Sequence, residues 1–328
     1  MRRSRRSEVI SGMNSSNITS FILSGIPGLE DYNFWIGFPV VSMYIVAVLG
    51  NCTLMYTIKT EPDLHEPMYI FLFMLSAVDL FLATATMPKM LGIFWSNSRE
   101  IPFNMCLVQM FFIHFLSALE SGILVAMAVD RYVAICHPLR YSAILTNKTI
   151  IKLTLMIVVR GSAVMIPIPL IIKRLPFCSA NVLTHSYCLH QEAMKLACAD
   201  IRVNIIYGLF VILSVMGVDS LFISLSYFLI IKAVVGLVEE ASLKAFRTCA
   251  AHICAVLVYY IPLIGLSVVH RFGTAAVPNL HILFGNVYLL VPPVINPIIY
   301  GIKTKQIRGK LRRIFCKRMN WTKTPGNL

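Results

Sequence analysis

Asp79, His114, Glu120 and Asp219 are ionisable side chains that sit inside long apolar runs of this 328-residue chain. A charge at the centre of a bilayer costs about 2.5 to 3.5 kcal/mol on insertion scales, so each is a candidate for function. Asp79 and Glu120 could share a cation or a proton, with Asn51 and Asn296 as neutral partners. The plainer alternative is a buried hydrogen-bonded network that fixes helix packing. The sequence assigns no role to Asp219. His114, Ser117 and Ser121 recur at i, i+3 and i+7 and share one helix face, whereas Glu120 lies eleven residues before Arg131 on another. Tyr260, Ile264, Ser267 and Arg271 fall at i, i+4, i+7 and i+11, a second stripe with polar groups running from mid-membrane to the outer edge. Polar stripes in apolar helices must face protein or water, so His114, Ser267 and Arg271 are placed to line a pocket. The alternatives are a structural histidine and an arginine that snorkels to the interface.

These groups need long apolar helices to hold them. The chain is 57% apolar and 13% charged, against roughly a quarter charged in soluble domains. A spanning helix needs about 20 mostly apolar residues. Seven such runs occur: Ile36 to Ile58, Met68 to Leu91, Cys106 to Val129, Leu153 to Ile172, Ile205 to Ile231, Cys249 to Val269 and Leu280 to Tyr300. The second, with Asp79 and Lys89, is the weakest. Pro262 should kink the sixth helix by removing a backbone donor. The chain reads as an all-α membrane protein, a seven-helix bundle over residues 36–300, with an N-terminal segment 1–35 and a tail 301–328.

Orientation follows the Lys and Arg residues. Nine of them and no Asp or Glu follow Tyr300, which places the tail in the cytosol and the N-terminus outside. The sequons at Asn14 and Asn17 agree, as glycosylation acceptors. Arg2, Arg3, Arg5 and Arg6 vote the other way, so a start at Met13 is the expected natural product. The basic N-terminus lacks the apolar core and cleavage site of a signal peptide, and the first span is read as an uncleaved anchor. The net charge of +14 lies mostly beside the membrane, which fits anionic lipid and an acidic partner surface better than nucleic acid. Cys106, Cys178, Cys188 and Cys198 face the oxidising side, with three pairings open to them. The basic stretch Lys303 to Phe315 predicts an amphipathic helix on the inner leaflet, with Cys316 either palmitoylated or a free thiol.

The string Met127-Ala128-Val129-Asp130-Arg131-Tyr132-Val133-Ala134-Ile135-Cys136-His137-Pro138 resembles the odorant-receptor form of the signature that ends the third helix of rhodopsin-like G-protein-coupled receptors. Leu64-His65-Glu66-Pro67-Met68-Tyr69, Lys244-Ala245-Phe246-Arg247-Thr248-Cys249 and Pro292-Pro293-Val294-Ile295-Asn296-Pro297-Ile298-Ile299-Tyr300 are similar to other odorant-receptor motifs. Gly25-Ile26-Pro27-Gly28-Leu29-Glu30 and Val269-His270-Arg271-Phe272-Gly273 resemble class I, the fish-like odorant receptors of the family 51 type. The resemblance implies a rhodopsin-like bundle and disulfides Cys106 to Cys188 and Cys178 to Cys198. It implies that Asp130 and Arg131, with Tyr132 beside them, restrain the resting state until a G protein docks. Asn296, Pro297 and Tyr300 match the seventh-helix activation motif, Tyr260 the place of a tryptophan switch, and Asp79 with Glu120 a sodium site acting as allosteric modulator. His114, Gln191, Ser267 and Arg271 match pocket positions. Arg247 departs from the usual small residue, and the segment before Met13 looks foreign to the family.

The resulting reading is an odorant receptor, not an enzyme. It would bind a small odorant, expected to be a carboxylic acid, from outside the plasma membrane and raise cyclic AMP through a stimulatory olfactory G protein. An ion-coupled transporter or channel using Asp79, Glu120 and Asp219 is the alternative. It calls for inverted repeats, which the sequence does not show. Hydrolase motifs of the Gly-x-Ser-x-Gly or His-Glu-x-x-His type are missing too.

Overall fold

A computed structural model describes residues 18–26, 28–178, 181–235, 239–272, 280–303 and 307–310, without the side chains of 239–242, 244, 245, 247, 248, 270–272 and 303. Asn14, Asn17, Met13 and Cys316 lie outside the described residues, as do the side chains of Arg247 and Arg271.

Hydrocarbon offers the backbone no hydrogen-bond partner, so each apolar run closes its own bonds as a helix. Among the described residues seven helices are long and apolar enough to cross a membrane: Glu30–Thr60, Pro67–Ser96, Phe103–Cys136, Asn147–Lys173, Arg202–Val234, Cys249–Val269 and Leu280–Ile302. Every expected run lies within one of them. Most helices extend past the expected ends, because hydropathy registers only the hydrocarbon layer while helical bonding continues into the interface. The sixth helix runs unbroken from Glu239 to Phe272 through Pro262. The fifth is composite: Arg202–Val211, a π-helical stretch Ile212–Gly217, then Val218–Val234. Each extra residue in such a stretch rotates the remainder of the helix by about 100°, and Asp219 is the second residue after it.

The third span is the central post. In its most apolar window 67% is buried, against 17% in the fifth. Exposed Phe81, Leu155 and Phe228 point away from the bundle, where lipid would cover them. Gly122 permits the third and fourth helices to approach closely, since a Cβ there would stand 2.8 Å from Ile157.

A small sheet caps the end that carries the disulfides. β1 (Ser20–Leu23) lies between β2 (Glu100–Pro102), to which it is antiparallel, and β3 (Val182–Leu183), to which it is parallel. Phe21 packs its ring against Phe103 and Phe177. Cys106 is joined to Cys188 and Cys178 to Cys198, the pairs that the resemblance implied. The loop between the fourth and fifth spans thus forms a lid, with a short helix His190–Lys195 of its own. At the opposite, basic end, Lys310 donates to Glu61 at 2.6 Å and Asp63 at 2.9 Å. These bonds raise its pKa and tie the segment after the seventh span to the turn after the first.

Candidate functional site

Beneath the lid lies a cavity of about 430 Å³. His114 and Ser117 of the third span border it, with Gln191 and His190 from the lid helix, Asn204 and Gly208 from the fifth span, and Ser267 from the sixth. His114 Nε2 and Gln191 Oε1 are buried and have no hydrogen-bond partner among the described residues, so both are open to a ligand. Ser267 donates to the Leu263 carbonyl at 2.9 Å, which leaves its oxygen to accept. The backbone of Arg271 continues the helix one turn beyond Ser267. His190 Nε2 pairs with Asn204 Oδ1 at 3.2 Å. Burial pushes the His190 pKa down, with the Asn204 bond opposing, and the ring enters the cavity wall neutral. Lys195 borders the cavity as well, with its ammonium 2.7 Å from Glu192 Oε1.

Two tyrosines close the floor. The Tyr259 hydroxyl donates to the Ser117 carbonyl at 2.7 Å and Tyr288 donates to the Ser117 hydroxyl. One turn deeper, Ser121 donates to Asp219 Oδ2 at 2.6 Å and pairs with the Tyr260 hydroxyl at 2.8 Å. Asp219 takes both arms of the Arg160 guanidinium, at 2.5 and 2.6 Å. This gives Asp219 the role that the sequence left blank, one half of a forked ion pair between the fourth and fifth spans. The fourth run conceals this partner because it reads as apolar, although an arginine inside it is as costly as the acids of the other runs. The cavity therefore rests on a polar chain from Arg160 through Asp219 and Ser121 to Tyr260.

A second polar group lies deeper. Asn296 donates to Asp79 Oδ2 at 3.0 Å. Asp79 Oδ1 and both Glu120 oxygens are buried with no partner among the described residues, and the two carboxylates interact electrostatically. Two buried acids with three orphan oxygens are the donor set of a hard cation. Asn51 differs from the expectation: its amide donates to the carbonyls of Ala47 and Pro293 at 2.9 Å each. It fastens the first span to the seventh instead of serving the acids. The Tyr300 hydroxyl is buried without a described partner. Pro297 packs against Gly50, where a Cβ would come within 2.9 Å.

At the basic end Asp130 Oδ2 accepts from Arg131 at 2.9 and 2.5 Å, and its Oδ1 accepts from Tyr141 at 2.8 Å. Tyr132 pairs with His137 Nε2 at 3.3 Å. Buried His252 bonds Tyr227 at 2.6 Å and the Leu124 carbonyl at 3.0 Å, linking three spans just above.

A family model described as olfactory receptor matches residues 40–318. The chain belongs to the olfactory receptor family. Among curated relatives it is 58% identical to olfactory receptor 51E1 of Homo sapiens over 302 residues, 92% of this chain and 95% of that protein. It is 59% identical to olfactory receptor 51E2 of Homo sapiens over 306 residues, 92% and 96% of the two chains. Olfactory receptor 51G2 of Homo sapiens matches at 53% over 307 residues, 93% and 98% of the two. The fold is similar to squid rhodopsin, with a TM-score of 0.74, 15% identity, and 92% and 90% of the two chains covered. The receptor is thus a multi-pass membrane protein of the rhodopsin-like G-protein-coupled class, with an odorant as ligand and a G protein as partner. It is a receptor, not an enzyme, and the transporter reading is set aside.

Proposed function

We propose that this olfactory receptor detects a small carboxylic acid and couples to a stimulatory G protein that raises cyclic AMP. The observation that supports it best is the cavity of about 430 Å³ beneath the lid, in which His114 Nε2 lacks a described partner and can donate to a carboxylate. Arg271, four residues beyond Ser267, is the cation that would take the carboxylate through its guanidinium fork, while donors from His114 Nε2, the Gln191 amide nitrogen and a Ser267 hydroxyl turned away from Leu263 orient it. Each charge-assisted bond is worth about 1.5 to 3 kcal/mol, and each buried methylene of the tail adds about 0.8 kcal/mol. Affinity should rise with tail length until the aliphatic wall is filled. In this reading the lid faces outward and the basic tail faces the cytosol.

Signal passes down through the floor tyrosines and Tyr260 to the seventh span, where Asn296, Pro297 and Tyr300 repack. The Asp130–Arg131 pair then opens so that Arg131 meets the G protein. A sodium ion fits the orphan oxygens of Asp79 and Glu120 and would neutralise two acids that otherwise repel. A cyclic-AMP dose-response series for acids and their methyl esters tests the proposal, with acids active and esters weaker.

A further inference from the structure

The lid contains a group of side chains that neither the pocket nor the activation path uses. His185 and Glu192 lie on the loop either side of Cys188, and His281 is in the first turn of the seventh helix. Their ligand atoms all lie within 4.8 Å of one another. We propose that this trio is a binding site for a borderline divalent transition metal, for which zinc is the natural probe, clamping the lid to the seventh span.

Two imidazoles and one carboxylate form a donor set suited to zinc or copper, not to magnesium or calcium, which prefer oxygen alone. A tetrahedral site with bonds of about 2.0 to 2.2 Å spaces its ligand atoms roughly 3.4 Å apart. The trio therefore needs to contract by no more than about 1.4 Å from its 4.8 Å limit, which side-chain rotation supplies, and a water completes the fourth position. The surroundings are those of a supported site. The rings of His185 and His281 stand edge to face with centroids 5.2 Å apart. Thr184 donates to Glu192 Oε2 at 2.6 Å and contacts His185 Nδ1 at 3.3 Å. Such bonds fix the orientation of metal ligands from behind. Gly285, one turn after His281, leaves room for His185 Nε2 against the seventh helix, since a Cβ there would be 3.3 Å away. His185 and Glu192 are buried while His281 is partly exposed, so the ion enters from the lid edge. A metal would also compete with Lys195 for Glu192 Oε1.

The test uses the purified full-length receptor in detergent, stripped of metal by a chelator and titrated with zinc and with cobalt. The parent should bind one zinc more at high affinity than H281A, and H281A should bind at that site at least 10- to 100-fold more weakly, the loss that removing even an outer partner of a metal site brings. H281C, which restores a ligand, should recover binding, and cobalt in the parent should show the intense visible absorption of a four-coordinate ion. H281Q, close in size and polarity, replaces H281A if the alanine variant is poorly produced. Equal stoichiometry and affinity in the parent and the His281 variants, or no recovery in H281C, would overturn the site and leave the trio as a set of lid hydrogen bonds.

Discussion

Removing Arg160 alone should harm the receptor more than removing Arg160 and Asp219 together. The Asp219 side chain is 2% exposed and that of Arg160 31% exposed, and both guanidinium arms meet the carboxylate. Breaking a buried pair from one side costs about 3 to 5 kcal/mol, because a charge is left behind, while replacing both partners with apolar residues is often neutral. The partial exposure of Arg160 and the remaining Ser121 bond place R160L near the lower end, about 3 kcal/mol. D219L should cost less, since the long arginine side chain can reach out of the bundle. The double variant R160L/D219L should lie within roughly 1 kcal/mol of the parent, giving a coupling energy of about 2 kcal/mol or more, well outside the scatter of about 0.3 to 0.5 kcal/mol for independent sites. Reversible unfolding of the purified variants in mixed micelles measures all four corners of the cycle. Additive single-mutant effects would refute the claim that these two residues act as one pair.

Arg131→Ala should abolish agonist-stimulated cyclic AMP at normal surface expression. Tyr141→Phe, which removes the 2.8 Å bond to Asp130, should raise basal cyclic AMP about fivefold, the equivalent of about 1 kcal/mol for one hydrogen bond. The His190 pKa in the fold is depressed below its ordinary value. The unfolded chain therefore takes up more protons as pH falls below about 6.5, and stability falls with it. Protection factors against hydrogen exchange in the lid, with the intrinsic pH dependence of exchange divided out, should fall between about pH 7.5 and 5.5, and His190→Gln should remove that fall. Replacing sodium with choline should shift agonist potency in the parent but not in Asp79→Asn.

The seven spans can be read from the chain because twenty apolar residues in a row have one solution in a bilayer. Their ends cannot: Cys106 to Val129 becomes Phe103–Cys136 because helical bonding does not stop where hydropathy does. The stripe of His114, Ser117 and Ser121 does face the bundle interior, since helical periodicity is local. What those residues touch depends on other spans. Ser121 meets Asp219 across 98 positions and Ser117 meets Tyr288 across 171, and no local pattern encodes such pairings. Asn51 illustrates the same limit, as a buried amide that serves the Pro293 carbonyl 242 residues away. The lid reads as a long loop in sequence because its strand β3 is two residues and its helix six, too short for a periodic pattern to be visible. Arg160 is within reach of sequence reasoning, for a cation and an anion in neighbouring apolar runs invite pairing. His185, Glu192 and His281 are not, because their proximity depends on how the lid folds over the seventh span.

The central claim concerns the odorant's carboxylate, and cyclic-AMP dose-response curves for a series of acids and their methyl esters test it most directly, on the parent, Arg271→Lys and Arg271→Ala, normalised to surface expression. Esters should be weaker than acids by one to two orders of magnitude on the parent, as expected for about 1.5 to 3 kcal/mol. Arg271→Lys should lose part of the acid response and Arg271→Ala most of it, since lysine keeps the charge without the fork. Unchanged acid potency in Arg271→Ala, or esters that match their acids, would contradict the account.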